Sequence, residues 1–208
     1  DLAHEVRNTF EHLGPTYVKL GQLIASSPGV FSKTLADEFE TLLDRVRPAP
    51  AEQVREIFIA ELGRPPEEVF TDFDPEPIAS ASIAQVHTAT LPDGARVVVK
   101  IQRPCIADRL APDVALLERV AGLAELSPYG RMLSARHVVE DFADGLDAEL
   151  DFRNEAATMA EWFECLQPGP FGGRVRVPQV YPELTTARVL TMEYIEAIGV
   201  DDVAAVRD

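Results

Sequence analysis

Residues 83–101 read IAQVHTATLPDGARVVVKI, two β-rich runs separated by Pro-Asp-Gly. Asp-Gly between alternating segments is the strongest short-range hairpin signal, because the turn needs the positive φ that glycine supplies. The expected strands are Ile83–Thr90 and Arg96–Ile101, paired across Asp93–Gly94. A hairpin here, within a chain that otherwise reads largely helical, constrains the fold to an α+β class. Alternate residues of a strand share a face. Val97, Val99 and Ile101 therefore point one way, and Val98 and Lys100 the other. Lysine is rarely fully buried without a partner. Either Lys100 sits at an exposed strand end, or it faces a polar site that needs its charge.

The flanks follow the helical period. Pro15 fits the first turn of a helix over GPTYVKLGQLIASSPG. A second stripe carries Leu35, Phe39, Leu42, Leu43 and Val46, with Ser32 or Thr34 as its cap. A third has Val54, Ile57, Phe58 and Leu62, stopped by Gly63 and Pro65. After Pro104 the period returns through Val114, Leu117, Val120, Leu123 and Ala124. It recurs through Val138, Phe142, Leu146 and Leu150, continuing to Phe152, Ala156, Met159 and Phe163. RVRVPQVY and ARVLTMEYI read as two further strands joined by PELTT.

At 208 residues with 46% hydrophobic content, the chain can bury a sizeable core as one large domain or two small ones. Nineteen basic against thirty-five acidic residues give a net charge of −16. That balance argues against a nucleic-acid surface and against polybasic attachment to anionic lipid. Cys105 and Cys165, far apart and without metal-ligand spacing, read as reduced packing cysteines of a cytoplasmic protein. No apolar run approaches the roughly 20 residues of a membrane span, and no signal peptide opens the chain. A start at Asp1 and an end inside helix-like sequence suggest a fragment of something longer.

Three further stretches could carry chemistry. PIASASIAQVH, residues 77–87, is a loop of small residues feeding a strand, which lets backbone N–H groups approach a phosphate; it lacks the glycines usual for that task. AELDFRNEAATMAEWF places Asp151 and Glu155 at i,i+4 on one helix face, with Glu149 two residues earlier. TYVKLGQL places Lys19 and Gln22 on one face, and Gly21 in the helix interior points to a close approach by another element.

Taken in order, these stretches resemble the UbiB/ADCK family of atypical protein-kinase-like proteins, from about Leu13 to Ile198. KLGQ is similar to its KxGQ motif, ASASIAQVH to its alanine-rich nucleotide loop, VVVKIQRP to its strand lysine, and ELD followed by Glu155 to its ExD motif and αC glutamate. VLTMEYIEAI resembles the last strand before the hinge, and the hinge itself. The resemblance implies a helical KxGQ extension over 1–66, a kinase-like N-lobe with inserted helices over 67–199, and the start of a C-lobe over 200–208, with the rest of that lobe absent from the chain. It implies that Lys100 holds nucleotide phosphates with Glu155 as its partner. Glu149 and Asp151 are then the ExD acids, and Lys19 and Gln22 enter the active site from the extension, with Gly21 at the close approach to those acids. The nucleotide would be lined by Ala79, Ser80, Ala81, Ser82, Val86 and Val98. Met192 would be the gatekeeper, with Glu193, Tyr194 and Ile195 offering hinge backbone to the adenine.

The implied cofactors are ATP or ADP and Mg²⁺, the metal ligands being expected in the missing C-lobe. The implied activity is phosphoryl transfer or ATP hydrolysis in quinone or lipid metabolism. Such a role leaves open a lipid or quinone-pathway partner and peripheral attachment to a membrane. Two departures stand out: Ser80 interrupts the usual run of three alanines, and Val98 stands where alanine is common, which narrows the adenine slot. The catalytic loop and DFG-type aspartate should follow the hinge, and nothing after Gly199 supplies them. DFAD at 141–144 and TDFD at 71–74 lie in the wrong places for that motif and are assigned to packing. The competing readings are a nucleotide-gated pseudokinase that holds a partner, and a helical scaffold whose kinase-like features are relics.

Overall fold

The computed structural model describes residues 2–27, 31–42, 46–132, 134–166 and 175–197. The elements are α1 (Leu2–Leu13), α2 (Pro15–Ala25), α3 (Lys33–Phe39), α4 (Ala51–Leu62) and α5 (Pro66–Val69), then β1 (Asp72–Phe73), β2 (Ala79–Ser80), β3 (Ala84–Thr90) and β4 (Arg96–Gln102). Next come α6 (Ile106–Ala124), α7 (Pro128–Met132), α8 (Ala135–Glu149) and α9 (Phe152–Leu166), a 3₁₀ turn at Pro182–Leu184, and β5 (Val189–Glu193). This is an α+β fold around one antiparallel sheet in the order β1-β3-β4-β5, with β2 also paired to β3.

The hairpin forms as expected, in register from Ala84 opposite Gln102 to Thr90 opposite Arg96. Gly94 takes a φ of 89°. The Leu91 N–H donates to Ala95 O at 2.9 Å, and the Asp93 carboxylate accepts from the Ala95 N–H at 3.0 Å, closing the turn.

Alternation sorts the sheet into two faces. Val97, Val99, Ile101 and Val189 are completely buried on one face, packed with Val54, Ile57 and Phe58 of α4 and with Phe70 and Leu184. Each such side chain contributes about 1.5–3 kcal/mol on leaving water, so this layer anchors the sheet. α4 lies within the helical extension expected from sequence, and it ends at Gly63, whose φ of 73° lets its N–H cap Ile59 O at 2.8 Å.

Three buried polar side chains, Gln85, His87 and Thr191, share this layer. Gln85 Oε1 accepts from the Ala49 N–H at 2.8 Å, and the Gln85 amide meets His87 Nε2 at 2.8 Å. His87 Nδ1 lies 2.8 Å from Asp74 O. A carbonyl can only accept, so Nδ1 carries the proton and Nε2 accepts from Gln85. The ring is neutral, and burial holds its pKa below the usual value.

Around the sheet, α6 and α8 pack through Ile106, Leu110, Phe142, Leu146 and Ile83. Helices α1 to α3 close on Ile24, Phe39 and Leu42.

Several sequence expectations need correction. The stripe from Leu35 does not stay helical to Val46: α3 ends at Phe39, where Thr41 Oγ1 donates to Glu38 O at 2.7 Å within a turn. Leu42 is buried nonetheless, and Leu43 lies outside the described residues. Ser32 caps α3 by accepting from the Leu35 N–H at 3.4 Å. In α6 the period overreaches: Val120 and Leu123 are exposed, because the interior of the fold is met by Ile106, Leu110 and Ala121. The long helical run from Val138 to Phe163 breaks at Leu150–Asp151 into α8 and α9. The described part of RVRVPQVY, residues 175–181, is not a strand. Pro178 has no N–H to give a ladder, and the segment pairs with β5 through one bridge, Val180 to Met192, and two flanking hydrogen bonds. Cys105 and Cys165 are both exposed, so neither is a packing cysteine. Among the described residues no helix is long and apolar enough to cross a membrane.

Candidate functional site

The second face of the sheet carries the site. Cross-strand partners point to the same side. The register sets Ala79, Val86, Lys100 and Leu190 in one row and Thr88, Val98 and Met192 in the next. Five residues singled out in the sequence (Ala79, Val86, Val98, Lys100 and Met192) thus share one face. Lys100 Nζ donates to Glu155 Oε2 at 2.6 Å. It also stands 4.8 Å from the centre of the Phe152 ring. The lysine side chain is 26% exposed, so its charge is neither buried nor lost in solvent. The opening ambiguity about Lys100 is resolved in favour of a polar site with a carboxylate partner.

Glu155 reaches Lys100 from the first turn of α9. That turn is fixed at the α8–α9 junction. Asp151 accepts from the Arg153 N–H at 3.0 Å, which caps the helix start, and also from the Arg153 guanidinium at 2.6 and 2.8 Å. Hydrogen bonding to Arg153 holds the Asp151 carboxyl below its ordinary pKa. The Phe152 N–H donates to Ala187 O at 3.0 Å. The fully packed Gln102 side chain donates to Leu150 O and, at 3.4 Å, to Ala187 O.

The extension enters through α2. Lys19 Nζ pairs with Glu149 Oε2 at 2.8 Å. Lys19, Gln22 and Glu149 line a cleft of about 270 Å³ together with Asp141. The N-terminus of α2 is tied to α6 by the buried Thr16, whose Oγ1 donates to Asp113 Oδ2 at 2.7 Å. Gly21 was expected to mark the approach to the ExD acids. It faces the other way: a Cβ there would fall 2.7 Å from Phe39 Cε1 and closer still to Leu42 Cδ1. Of the two acids that the resemblance assigns to an ExD motif, Glu149 meets α2, whereas Asp151 is engaged by Arg153.

The small-residue loop is a tight connection. Ala79 and Ser80 pair with Val86 and Gln85, the Ala81 N–H donates to Ala84 O at 2.8 Å, and Ser82 is buried. Ser80 Oγ accepts from Arg103 Nη1 at 3.1 Å, while Arg103 Nη2 reaches Arg47 O at 2.9 Å. At the other end, the Glu193 N–H donates to Gln179 O at 2.8 Å and the Tyr194 N–H to Arg96 O at 3.0 Å. Of the three expected hinge residues, only Ile195 has an N–H that makes no hydrogen bond among the described residues.

Phe142 of DFAD is buried between α6 and α8, and Asp72–Phe73 of TDFD forms β1. Both are structural, as expected. A separate groove of about 560 Å³ runs along α9 past Arg153, Met159, Phe163 and Pro178, and neither Lys100 nor Glu155 lines it. Sequence reasoning did not single out Gln102 or Arg103, although both follow Lys100 within the stretch KIQRP. Gln102 was detectable, since strand alternation puts it on the face of Lys100.

A small antiparallel sheet, a strand lysine, and a glutamate presented to it from a packed helix define a protein-kinase-like lobe. The chain belongs to the ABC1 atypical kinase-like domain family, whose model matches residues 41–208. It is 55% identical over 203 residues to an uncharacterized protein of Mycobacterium tuberculosis (strain ATCC 25618 / H37Rv), covering 98% of this chain and 42% of that one. It is 38% identical to the probable protein kinase UbiB of Marinobacter nauticus, covering 96% of this chain and 36% of the relative. Among solved structures, the Rv3197–erythromycin complex from Mycobacterium tuberculosis matches with a TM-score of 0.62 at 30% identity, over 90% of this chain and 45% of that chain. The chain thus spans less than half the length of these relatives.

Proposed function

We propose that this chain supplies the nucleotide-holding lobe of an atypical kinase-like ATPase or phosphotransferase acting in quinone or lipid metabolism. The observation that carries the reading is the 2.6 Å pair between Lys100 and Glu155 on a sheet face that also carries Ala79, Val86, Val98 and Met192. Those residues suit an adenine nucleotide. The valines and Met192 offer an apolar surface to a base, Lys100 offers a cation to phosphate oxygens, and the Ile195 N–H is available to a ring nitrogen. When bound, ATP supplies the phosphoryl group. The protein's part is positioning and charge neutralisation. Glu155 holds the Lys100 ammonium at one place on the face, and the loop of residues 79–82 covers the approach. Among the described residues no group of three or more His, Cys, Asp or Glu could hold a metal ion.

Calorimetry of the full-length protein with ADP and ATP tests the reading. Saturable binding that is lost in Lys100→Ala supports it, and equal binding by parent and variant overturns it. Phosphate release or transfer from MgATP then separates an enzyme from a module that only holds nucleotide.

A further inference from the structure

We infer that Gln102 is a positioning residue that holds the α8–α9 junction against the sheet, and so sets where Glu155 meets Lys100. The inference deepens the proposed nucleotide site and rests on it for one of its two tests.

Gln102 lies two residues after Lys100 on β4, so both side chains leave the same face of the sheet. Its side chain is almost wholly buried, where an amide must find partners. Those partners are main-chain carbonyls of two separate segments. Leu150 O belongs to the residue that caps the C-terminus of α8, where carbonyls have no partner within the helix. Ala187 O belongs to the segment leading into β5, and it also receives the N–H of Phe152, the first residue of α9. One side chain thus fixes the end of one helix and, through a shared carbonyl, the start of the next.

What hangs on that junction is the rest of the site. Glu149, bonded to Lys19, immediately precedes Leu150. Phe152, whose ring lies beside the Lys100 ammonium, follows two residues later. Glu155 is one helical turn beyond Phe152. A shift of the junction would displace both ion pairs together. Gln102 is the side chain through which β4, the strand carrying Lys100, reaches this hinge between the two helices.

The test uses Gln102→Met, which keeps length and volume but removes the amide, in full-length protein. The first readout needs no nucleotide: hydrogen exchange by mass spectrometry. Exchange across residues 150–156 should rise about tenfold, while that of α4, on the opposite sheet face, stays unchanged. The second readout is ADP affinity in a double-mutant cycle. Gln102→Met should weaken binding about tenfold when Glu155 is present and less than about twofold in a Glu155→Gln background, where there is no carboxylate to position. Equal losses in both backgrounds, or exchange rising equally throughout α4, would reduce Gln102 to a general stabiliser and overturn the inference. If the parent protein binds no nucleotide, the functional reading falls, and the exchange measurement alone decides the role of Gln102. Should the methionine variant fail to fold, Gln102→Asn, which keeps an amide one methylene short, carries the same two comparisons.

Discussion

Lys100 and Glu155 lie 55 residues apart in the chain and meet at 2.6 Å. Strand alternation turns the lysine away from the valine core, and the capped first turn of α9 brings the glutamate to it. Lys100→Met and Glu155→Gln should each lower ADP affinity about tenfold or more, and the double variant should lose no more than the worse single one, because the two side chains act as a unit. Calorimetry on the three variants checks this. Additive losses would mean that the residues act independently.

Gly21 sits directly against Phe39 of α3 and Leu42 just beyond it. Gly21→Leu forces a side chain into the ring of Phe39 and the methyl of Leu42. Overpacking of this kind costs about 1–3 kcal/mol, and the penalty should appear as a lowered midpoint in denaturant unfolding. The same variant should separate Lys19 from Glu149, since both depend on the seating of α2. An unchanged midpoint would show that α2 moves freely over α3.

The buried His87 gives the fold a defined response to acid. Its folded pKa is lowered from the usual 6.5, chiefly by burial. The unfolded chain therefore takes up this proton first as pH falls. The contribution of His87 is complete above about pH 6.5 and declines below it until the folded value is passed. Protonation also places a new N–H against the Gln85 amide and breaks the relay to Ala49. Denaturant midpoints across pH 7 to 5 should fall, and His87→Leu should flatten that slope. Asp151, held below its ordinary 3.8 by Arg153, loses its contribution only in a separate and more acidic window.

Hinge recognition can be isolated from phosphate recognition. The N–H groups of Glu193 and Tyr194 are already used, so Ile195→Pro removes the one donor left among the three expected hinge residues in the described structure. Proline also restricts the preceding residue, Tyr194, which lies just past β5 and outside the strand ladder. ADP affinity should drop about tenfold, a typical cost for one buried hydrogen bond, while binding of inorganic pyrophosphate is unaffected. A loss for both ligands would point to a misplaced strand instead.

The hairpin and the direction of Lys100 were legible in the sequence, because each follows from a local period or turn residue, whereas the pairing with Glu155 came from the family resemblance alone. The failures have a common cause. Periodicity reports which side of a helix is apolar, but not whether another element arrives to cover it. Val120 and Leu123 continue the stripe of α6 into solvent for that reason. Nor could a period show that Leu150–Asp151 interrupts the helix, since the break is held by Gln102 from a distant strand. Gly21 was recognised as a close approach, but its neighbour was misassigned, because a missing side chain does not name what fills the space. Main-chain accounting at the hinge was likewise invisible, as it depends on which carbonyls Gln179 and Arg96 happen to offer.

The Asp93–Gly94 turn has a bearing on how this protein can vary. Because it fixes the pairing of β3 with β4, it decides by parity which residues face Glu155 and which meet α4. Substituting one valine of β4 for another apolar residue leaves that parity intact. Inserting a single residue within 97–99 reverses it, sending Lys100 toward Phe58 and Val54 and an aliphatic side chain toward Glu155. Drift in composition is therefore tolerable along this strand in a way that drift in length is not, and descendants of this gene should record many replacements here and no frame-preserving single-codon insertions.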